Sequence, residues 1–212
     1  MQSIIWDWNG TLLNDMELCV SSINSLLEKR HLKKLDTKVY KEVFSFPVKD
    51  YYEAIGFDFS REDFAIPSQE FIDLYNNGVA GCELHEEAIK VLNHFKSVGK
   101  RQFVLSAMKQ DMLITTLKHQ NIYSYFEGVF GLDDHYAVSK IDRGKMMISK
   151  LGINKESAVI IGDTIHDFEV AQEMGISCIL LANGHQSEER LKTTGVPVVA
   201  NLAELLKNDL TV

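Results

Sequence analysis

The sequence predicts an α/β fold: a doubly wound, mainly parallel sheet with a small α-helical domain inserted after the first strand. Three observations carry that expectation. Beyond Gly81, short apolar runs alternate regularly with amphipathic stretches, the pattern of strand–helix–strand units. The run Ala158-Val159-Ile160-Ile161 is continuously apolar and residues 176–181 are so apart from Ser177, as parallel strands covered on both faces are. Between residues 36 and 81, aromatic side chains recur at helical spacing and no convincing strand is present.

The first strand is the apolar run Ile4-Ile5-Trp6, closed by Asp7 and followed by Gly10-Thr11. Glycine at position 10 lets the backbone turn sharply and approach a ligand closely. Residues 16–30 carry Leu18, Ile23, Leu26 and Leu27 at helical spacing and end in basic residues suited to a helix C-terminus. Tyr40, Val43 and Phe44, then Tyr51, Tyr52 and Ile55, then Phe64, Phe71, Ile72, Leu74 and Tyr75 mark about three more helices, with Pro47 and Pro67 as breaks between them. The chain then reads as helix 86–97, strand 101–106, helix 110–120, strand 128–130, helix 144–151, strand 158–162, helix 168–174, strand 176–181, strand 196–199 and helix 202–207. Residues 1–14 and 82–212 are thereby assigned to an α/β core, and residues 15–81 to a helical domain.

Bulk properties narrow the function. A length of 212 residues suits one sizeable core, or a core with a small accessory domain. The net charge of −8 argues against nucleic acid as a partner, since phosphate backbones demand a basic surface. No run approaches the ~20 apolar residues that span a bilayer, so no membrane partner is expected. Cys19, Cys82 and Cys178 are odd in number and widely spaced, indicating neither a disulfide framework nor a zinc site. Asp7 interrupts the first apolar run, which excludes it as a signal peptide, and a cytoplasmic location is expected. The sequence does not specify an oligomeric state.

The chemistry gathers at predicted strand ends. Asp7 closes the first strand, Ser106 ends strand 101–106, Lys140 precedes helix 144–151, and Asp163 follows strand 158–162 with Asp167 four residues on. In a parallel sheet all of these share the carboxyl edge, where open α/β folds keep their ligand crevice. Asp7, Asp163 and Asp167 offer hard oxygen ligands that favour Mg²⁺. Ser106 can hydrogen-bond a phosphoryl oxygen and Lys140 can act on it as a point charge. Together they would let an anionic Asp7 attack an anionic phosphate, forming an aspartyl phosphate that water then hydrolyses.

This ordered set resembles the haloacid dehalogenase superfamily over essentially the whole chain. Asp7-Trp8-Asn9-Gly10-Thr11 is similar to its first motif, Ser106 to the second, Lys140 to the third, and Gly162-Asp163-Thr164-Ile165-His166-Asp167 to the fourth. The insertion is similar to the helical cap of the phosphoglycolate-phosphatase-like branch. The resemblance implies a Rossmann-like core, Mg²⁺ held by Asp7, Asp163, Asp167 and the backbone carbonyl of Asn9, and a phosphoryl group bound by Thr11, Ser106 and Lys140. It also implies a small phosphorylated metabolite as substrate and a cap that closes over the site and selects that substrate. Lys145 is the alternative to Lys140, but it falls inside the predicted helix.

Position 9 departs from the resemblance. Most phosphatases of the superfamily carry a second aspartate there as general acid and base, whereas Asn9 cannot exchange a proton in this pH range. Such assistance is commonly worth ~10²–10⁴-fold. Ala107 stands where relatives often have Asn. Three readings remain open: a phosphatase whose leaving group needs no proton or receives one from His166 or a cap residue; a phosphonoacetaldehyde-hydrolase-like enzyme using Lys49 as a Schiff base; and a phospho-ligand binder without turnover. Simple structural roles are weighed beside these. Asp7 could cap a turn, Asp167 could complement a helix N-terminus, and Thr11 and Thr164 are ordinary turn and cap residues. His166 reads as a solvated helix-start residue, Lys49 as a surface lysine and residues 183–186 as a plain turn. Trp6 and Trp8 are assigned to the core, and His85, His94, His119 and His135 receive no role.

Overall fold

A computed structural model describes residues 1–133 and 139–207. In chain order the elements are β1 (Ser3–Trp6), β2 (Leu13–Asn14), α1 (Met16–Lys29), α2 (Thr37–Val43), α3 (Val48–Ala54), α4 (Ala65–Gly78), β3 (Glu83–Leu84), α5 (Ala88–Ser97), β4 (Arg101–Lys109), α6 (Gln110–His119), β5 (Gly128–Leu132), α7 (Lys140–Leu151), β6 (Ala158–Gly162), α8 (Ile165–Met174), β7 (Ser177–Leu181), α9 (Glu188–Lys192) and β8 (Val198–Val199). Six strands form one parallel sheet in the order β5-β4-β1-β6-β7-β8. β1 lies between β4 and β6, with Trp6 in register with Val104 on one side and Ile161 on the other. The chain winds outward from β1 through β4 to β5, then returns to β6 and winds the other way. The strand order therefore reverses next to β1, and a crevice opens at the carboxyl edge there.

Side-chain alternation sorts the core by face. Ile4, Trp6, Val104, Val159, Ile161, Ile179 and Leu181 pack with Val91, Leu92 and Phe95 of α5 and with Leu113 and Leu117 of α6. Ile5, Phe103, Leu105, Ile160, Cys178 and Leu180 pack on the opposite face with α7, α8 and α9, through Met147, Ile148, Val170, Ala171, Met174 and Leu191. Trp6 and Trp8 are fully buried, as expected from their place in the sequence.

Helices α1 to α4 form the insertion, and their apolar residues join the first of these clusters. The two-residue strands β2 and β3 pair antiparallel where the chain leaves and re-enters the core. Arg30, directly after α1, clamps the loop and α4: its guanidinium reaches Glu62 at 2.6 and 2.8 Å and Glu70 at 2.8 Å. On the far side, Arg190 Nη1 donates to the carbonyls of Lys41 and Phe44 at 2.9 and 2.7 Å, and Gln186 Nε2 donates to Phe44 at 2.9 Å. The insertion is thus tied to the core at both its stem and its flank.

Several boundaries differ from the sequence reading, each for a physical reason. α7 begins at Lys140, four residues before Gly144, because Ser139 caps it by accepting from Asp142 N. Gly144 is a packing residue, not a start signal: a Cβ there would stand 2.4 Å from Met174 Sδ, so its absence lets α7 lie against α8. α8 begins at Ile165 through a capping box between Thr164 and Asp167. β4 continues past Ser106 to Lys109, with a register shift between Leu105 and Lys109. Pro67 lies in the first turn of α4, where its missing N–H has no helical partner to lose, and so marks no break. Residues 202–206 form a 3₁₀ turn, α9 had no counterpart in the reading, and the expectation for His135 falls outside the described residues.

One polar residue inside the sheet is stability-critical. Gln102 is 1% exposed; its Oε1 accepts from Trp6 Nε1 at 3.0 Å and its Nε2 donates to the Leu92 carbonyl at 3.0 Å. Gln102→Leu fits the space but strands both partners, and should lower unfolding free energy by about 2–3 kcal/mol. Urea denaturation followed by tryptophan fluorescence measures this.

Candidate active site

Asp7 leaves β1 with its N–H still bonded to the Ile161 carbonyl at 2.8 Å, which fixes its carboxylate at the sheet edge. Lys140, the first residue of α7, projects between two carboxylates: its Nζ lies 2.5 Å from Asp7 Oδ1 and 2.6 Å from Asp167 Oδ1. Asp163, directly after β6, accepts from Thr11 Oγ1 at 2.9 Å and from the His185 N–H at 2.6 Å. Asp167 also accepts, through Oδ2, from Asp163 N, Thr164 N and Thr164 Oγ1 at 3.2, 3.0 and 2.7 Å. Asp7, Asp163 and Asp167 are all buried, and each offers an oxygen within 4.8 Å of the others.

Three buried carboxylates beside one ammonium leave an excess of negative charge. Burial, then the neighbouring Asp167 and Asp163, push Asp7 up to about 8, with Lys140 alone opposing. Burial and Asp167 push Asp163 up to about 6 despite His185. Burial acts to raise Asp167 as well, but Lys140 and Thr164 outweigh it and hold the carboxyl below its ordinary value. For Lys140 burial is outweighed by Asp167 and Asp7, which keep it firmly charged. A divalent cation suits this donor set, because its oxygens are hard and their charge is under-compensated. The surrounding backbone is cut close to the same carboxylate: a Cβ on Gly10 or Gly184 would stand 2.3 or 2.1 Å from Asp163 Oδ2.

A second polar cluster abuts the first. Asp15 accepts from Gly10 N at 2.8 Å, Asn9 Nδ2 at 2.8 Å and Tyr75 Oη at 2.7 Å, and lies 3.2 Å from His185 Nε2. The Asp15 carboxylate outweighs burial and raises His185 to about 9, so the ring is a cation at neutral pH; its Nδ1 lies 3.0 Å from Tyr40 Oη. In return His185 overcomes the effect of burial and depresses Asp15. Asn9 is locked here: Nδ2 also donates to Tyr75 Oη at 2.6 Å, and Oδ1 accepts from Ser106 Oγ at 3.3 Å. His85 braces the same turn, with Nε2 2.9 Å from the Gly10 carbonyl.

Both clusters open onto a cavity of about 830 Å³ between the sheet edge and the insertion. Asp7, Lys140, Asp167, Asn9, Asp15 and His185 line its floor side, and Tyr40, Phe44, Phe46, Tyr51, Phe71 and Tyr75 are among its insertion residues.

The sequence profile of the haloacid dehalogenase-like hydrolases matches residues 4–181. The chain belongs to that family. It is 23% identical over 205 residues to the tyrosine-protein kinase PtkA of Mycobacterium tuberculosis, covering 96% of this chain and 70% of that protein. It is 24% identical over 203 residues to a phosphoglycolate phosphatase of Caulobacter vibrioides, covering 93% and 85%. A haloacid dehalogenase-like family hydrolase from Streptococcus pneumoniae has the same fold, with a TM-score of 0.86 at 19% identity over 98% of this chain and 97% of that one.

Within this haloacid dehalogenase-like hydrolase the anticipated residues converge, with some changes of partner. Lys140 is buried on Asp7, whereas Lys145 is exposed and pairs with Glu173 at 2.7 Å. Lys140 sits on the helix itself, not on the approach to it. Thr11 is fully buried and gives its hydroxyl to Asp163, so it braces an aspartate. Ser106 is fully buried against Asn9, and its Oγ accepts from Met108 N at 3.0 Å. His166 contacts Glu169 at 3.1 Å and Phe46, whose ring centroid is 4.8 Å away. Lys49 is exposed, 5.8 Å from the Phe59 ring centroid, and is not among the cavity residues. Asp15, His85 and His185 were missed. The signal for Asp15 was present in outline, a carboxylate five residues beyond a glycine turn, but its partners lie 60 and 170 positions away.

Replacing Asn9 by Asp sets two carboxylates together where an amide now donates to Asp15. Asn9→Asp alone should destabilise the protein by about 1–3 kcal/mol, and Asn9→Asp combined with Asp15→Asn should recover much of that loss in chemical denaturation. The His185 contribution has a defined pH window. Its folded value of about 9 exceeds the ordinary value of 6.5, so its stabilisation is complete below 6.5 and lost as pH rises through 9. The stability difference between wild type and His185→Gln should therefore shrink, by up to about 3 kcal/mol, when unfolding is measured at pH 9.5 instead of pH 6.

Proposed function

We propose that the protein is a Mg²⁺-dependent phosphatase-like hydrolase that acts on a small phosphorylated metabolite through an aspartyl-phosphate intermediate on Asp7. The observation that carries this is the buried Asp7 carboxylate at the cavity floor, paired with Lys140 and within ligand distance of Asp163 and Asp167. Asp7 attacks phosphorus and the leaving oxygen departs with the bonding pair; water then hydrolyses the acyl phosphate and restores Asp7. Lys140 offsets the charge of the incoming phosphoryl group, and Ser106 holds the Asn9 amide through its hydroxyl. Asp7, Asp163 and the Asn9 carbonyl would hold Mg²⁺, which supplies charge neutralisation of the phosphoryl oxygens when bound. Asp167 takes four protein donors, Lys140 on Oδ1 and three groups on Oδ2, against two on Asp163, so Asp167 would act on the ion through water or through Lys140. The helical insertion serves as a cap that excludes bulk water. The likeness to a phosphoglycolate phosphatase supports a small phosphorylated substrate.

Carbon–phosphorus cleavage through Lys49 finds no support, because that residue is exposed, sits over the Phe59 ring and is absent from the residues lining the cavity. Phosphate release from a panel of phosphate esters and acyl phosphates tests the reading. Release should require Mg²⁺, stop with EDTA, and fall by ~10³-fold or more in Asp7→Asn. Retained turnover in Asp7→Asn would remove this residue as nucleophile.

A further inference from the structure

We propose that the cavity accepts the phosphate monoester of a phenol, with the ring among Phe44, Phe46, Tyr51 and Phe71 and the phosphoryl group at Asp7 and Lys140. The inference rests on the phosphatase reading and narrows it to a substrate class. Two independent observations lead to it.

The first concerns the leaving group. Position 9 carries an amide whose Nδ2 is committed to Asp15 and Tyr75 and whose Oδ1 accepts from Ser106, so it delivers no proton to a departing oxygen. Departure of an alkoxide, whose conjugate acid resembles water at a pKa near ~15.7, suffers most from that loss. A phenol, with a pKa of about 10, leaves as an aryloxide without help. Attack by an Asp7 oxygen on phosphorus breaks the P–O(aryl) bond, and the aryloxide takes its proton from solvent. Water then attacks phosphorus, releasing phosphate and regenerating Asp7, so the net reaction is aryl phosphate plus water to phenol plus phosphate.

The second concerns the walls. The volume of about 830 Å³ far exceeds a phosphoryl group and suits a metabolite-sized ligand. Beyond the charged floor, the insertion contributes mainly rings, already arranged edge to face: Phe44 and Tyr51 at 5.3 Å and 76°, Phe44 and Phe46 at 5.5 Å and 74°. Another ring extends such a cluster favourably. Phe46 is 37% exposed, so its replacement alters the cavity and not a sealed core.

Four substrates separate ring recognition from leaving-group chemistry: phenyl phosphate, 2-phenylethyl phosphate, ethyl phosphate and acetyl phosphate, each assayed for Mg²⁺-dependent phosphate release. The expected kcat/KM for phenyl phosphate exceeds that for 2-phenylethyl phosphate by ~10²-fold or more, the range of a missing general acid. Phe46→Ala should lower the ratio of phenyl phosphate to acetyl phosphate kcat/KM about tenfold, about the worth of one aromatic contact, and Phe46→Leu should lower it less. Equal rates on ethyl and phenyl phosphate, or a ratio unmoved in both Phe46 variants, would overturn the substrate class while acetyl phosphate turnover kept the phosphatase reading intact. Silence on all four substrates overturns both.

Discussion

The ammonium of Lys140, buried between Asp7 and Asp167, is the contact on which the site depends. It joins the end of β1, the start of α7 and the start of α8, three segments that meet only because β1 and β6 are neighbours in a parallel sheet. Such a buried triad gains little stability over apolar packing, yet loss of one partner leaves an uncompensated charge costing about 3–5 kcal/mol. Its value is in placement. The lysine holds the Asp7 carboxylate at the cavity floor and partly offsets the repulsion that would otherwise keep an anionic ligand away.

Asn9 and Asp15 belong to one electrostatic arrangement. The carboxylate at 15 gathers donors from Asn9, Gly10, Cys19, Tyr75 and the His185 cation, and fixes the turn that carries Gly10 and Asn9. An amide is the side chain that can lie against both Asp15 and Ser106, donating to one and accepting from the other. The residue at 9 is therefore suited to its neighbours as a positioning group. In the proposed reaction the same choice leaves no proton carrier at position 9, which would favour leaving groups that depart unaided.

His185 links this arrangement to the helical insertion. Its ring contacts Tyr40 of α2 while its backbone N–H holds Asp163, so the insertion, the metal-type carboxylates and the turn at position 9 share one residue. Arg190 and Gln186, a few residues further on, grip the carbonyls of the α2 terminus. The seating of the insertion on the core and the geometry of the acidic cluster are accordingly connected through His185.

By itself the sequence determined the α/β class, the helical insertion and the acidic set, because each rests on local signals: apolar runs, helical spacing, and aspartates placed at strand ends. Asp7, Asp163 and Lys140 were legible since a parallel sheet brings all its carboxyl ends to one edge. Only the tertiary structure decided which side chains would share partners. Thr11 turned to Asp163, Gly144 proved to be a packing contact with Met174, and Asp15 met Tyr75 and His185 across large stretches of chain. Pairings of that kind leave no period or spacing in the sequence, because they depend on how the insertion settles on the sheet.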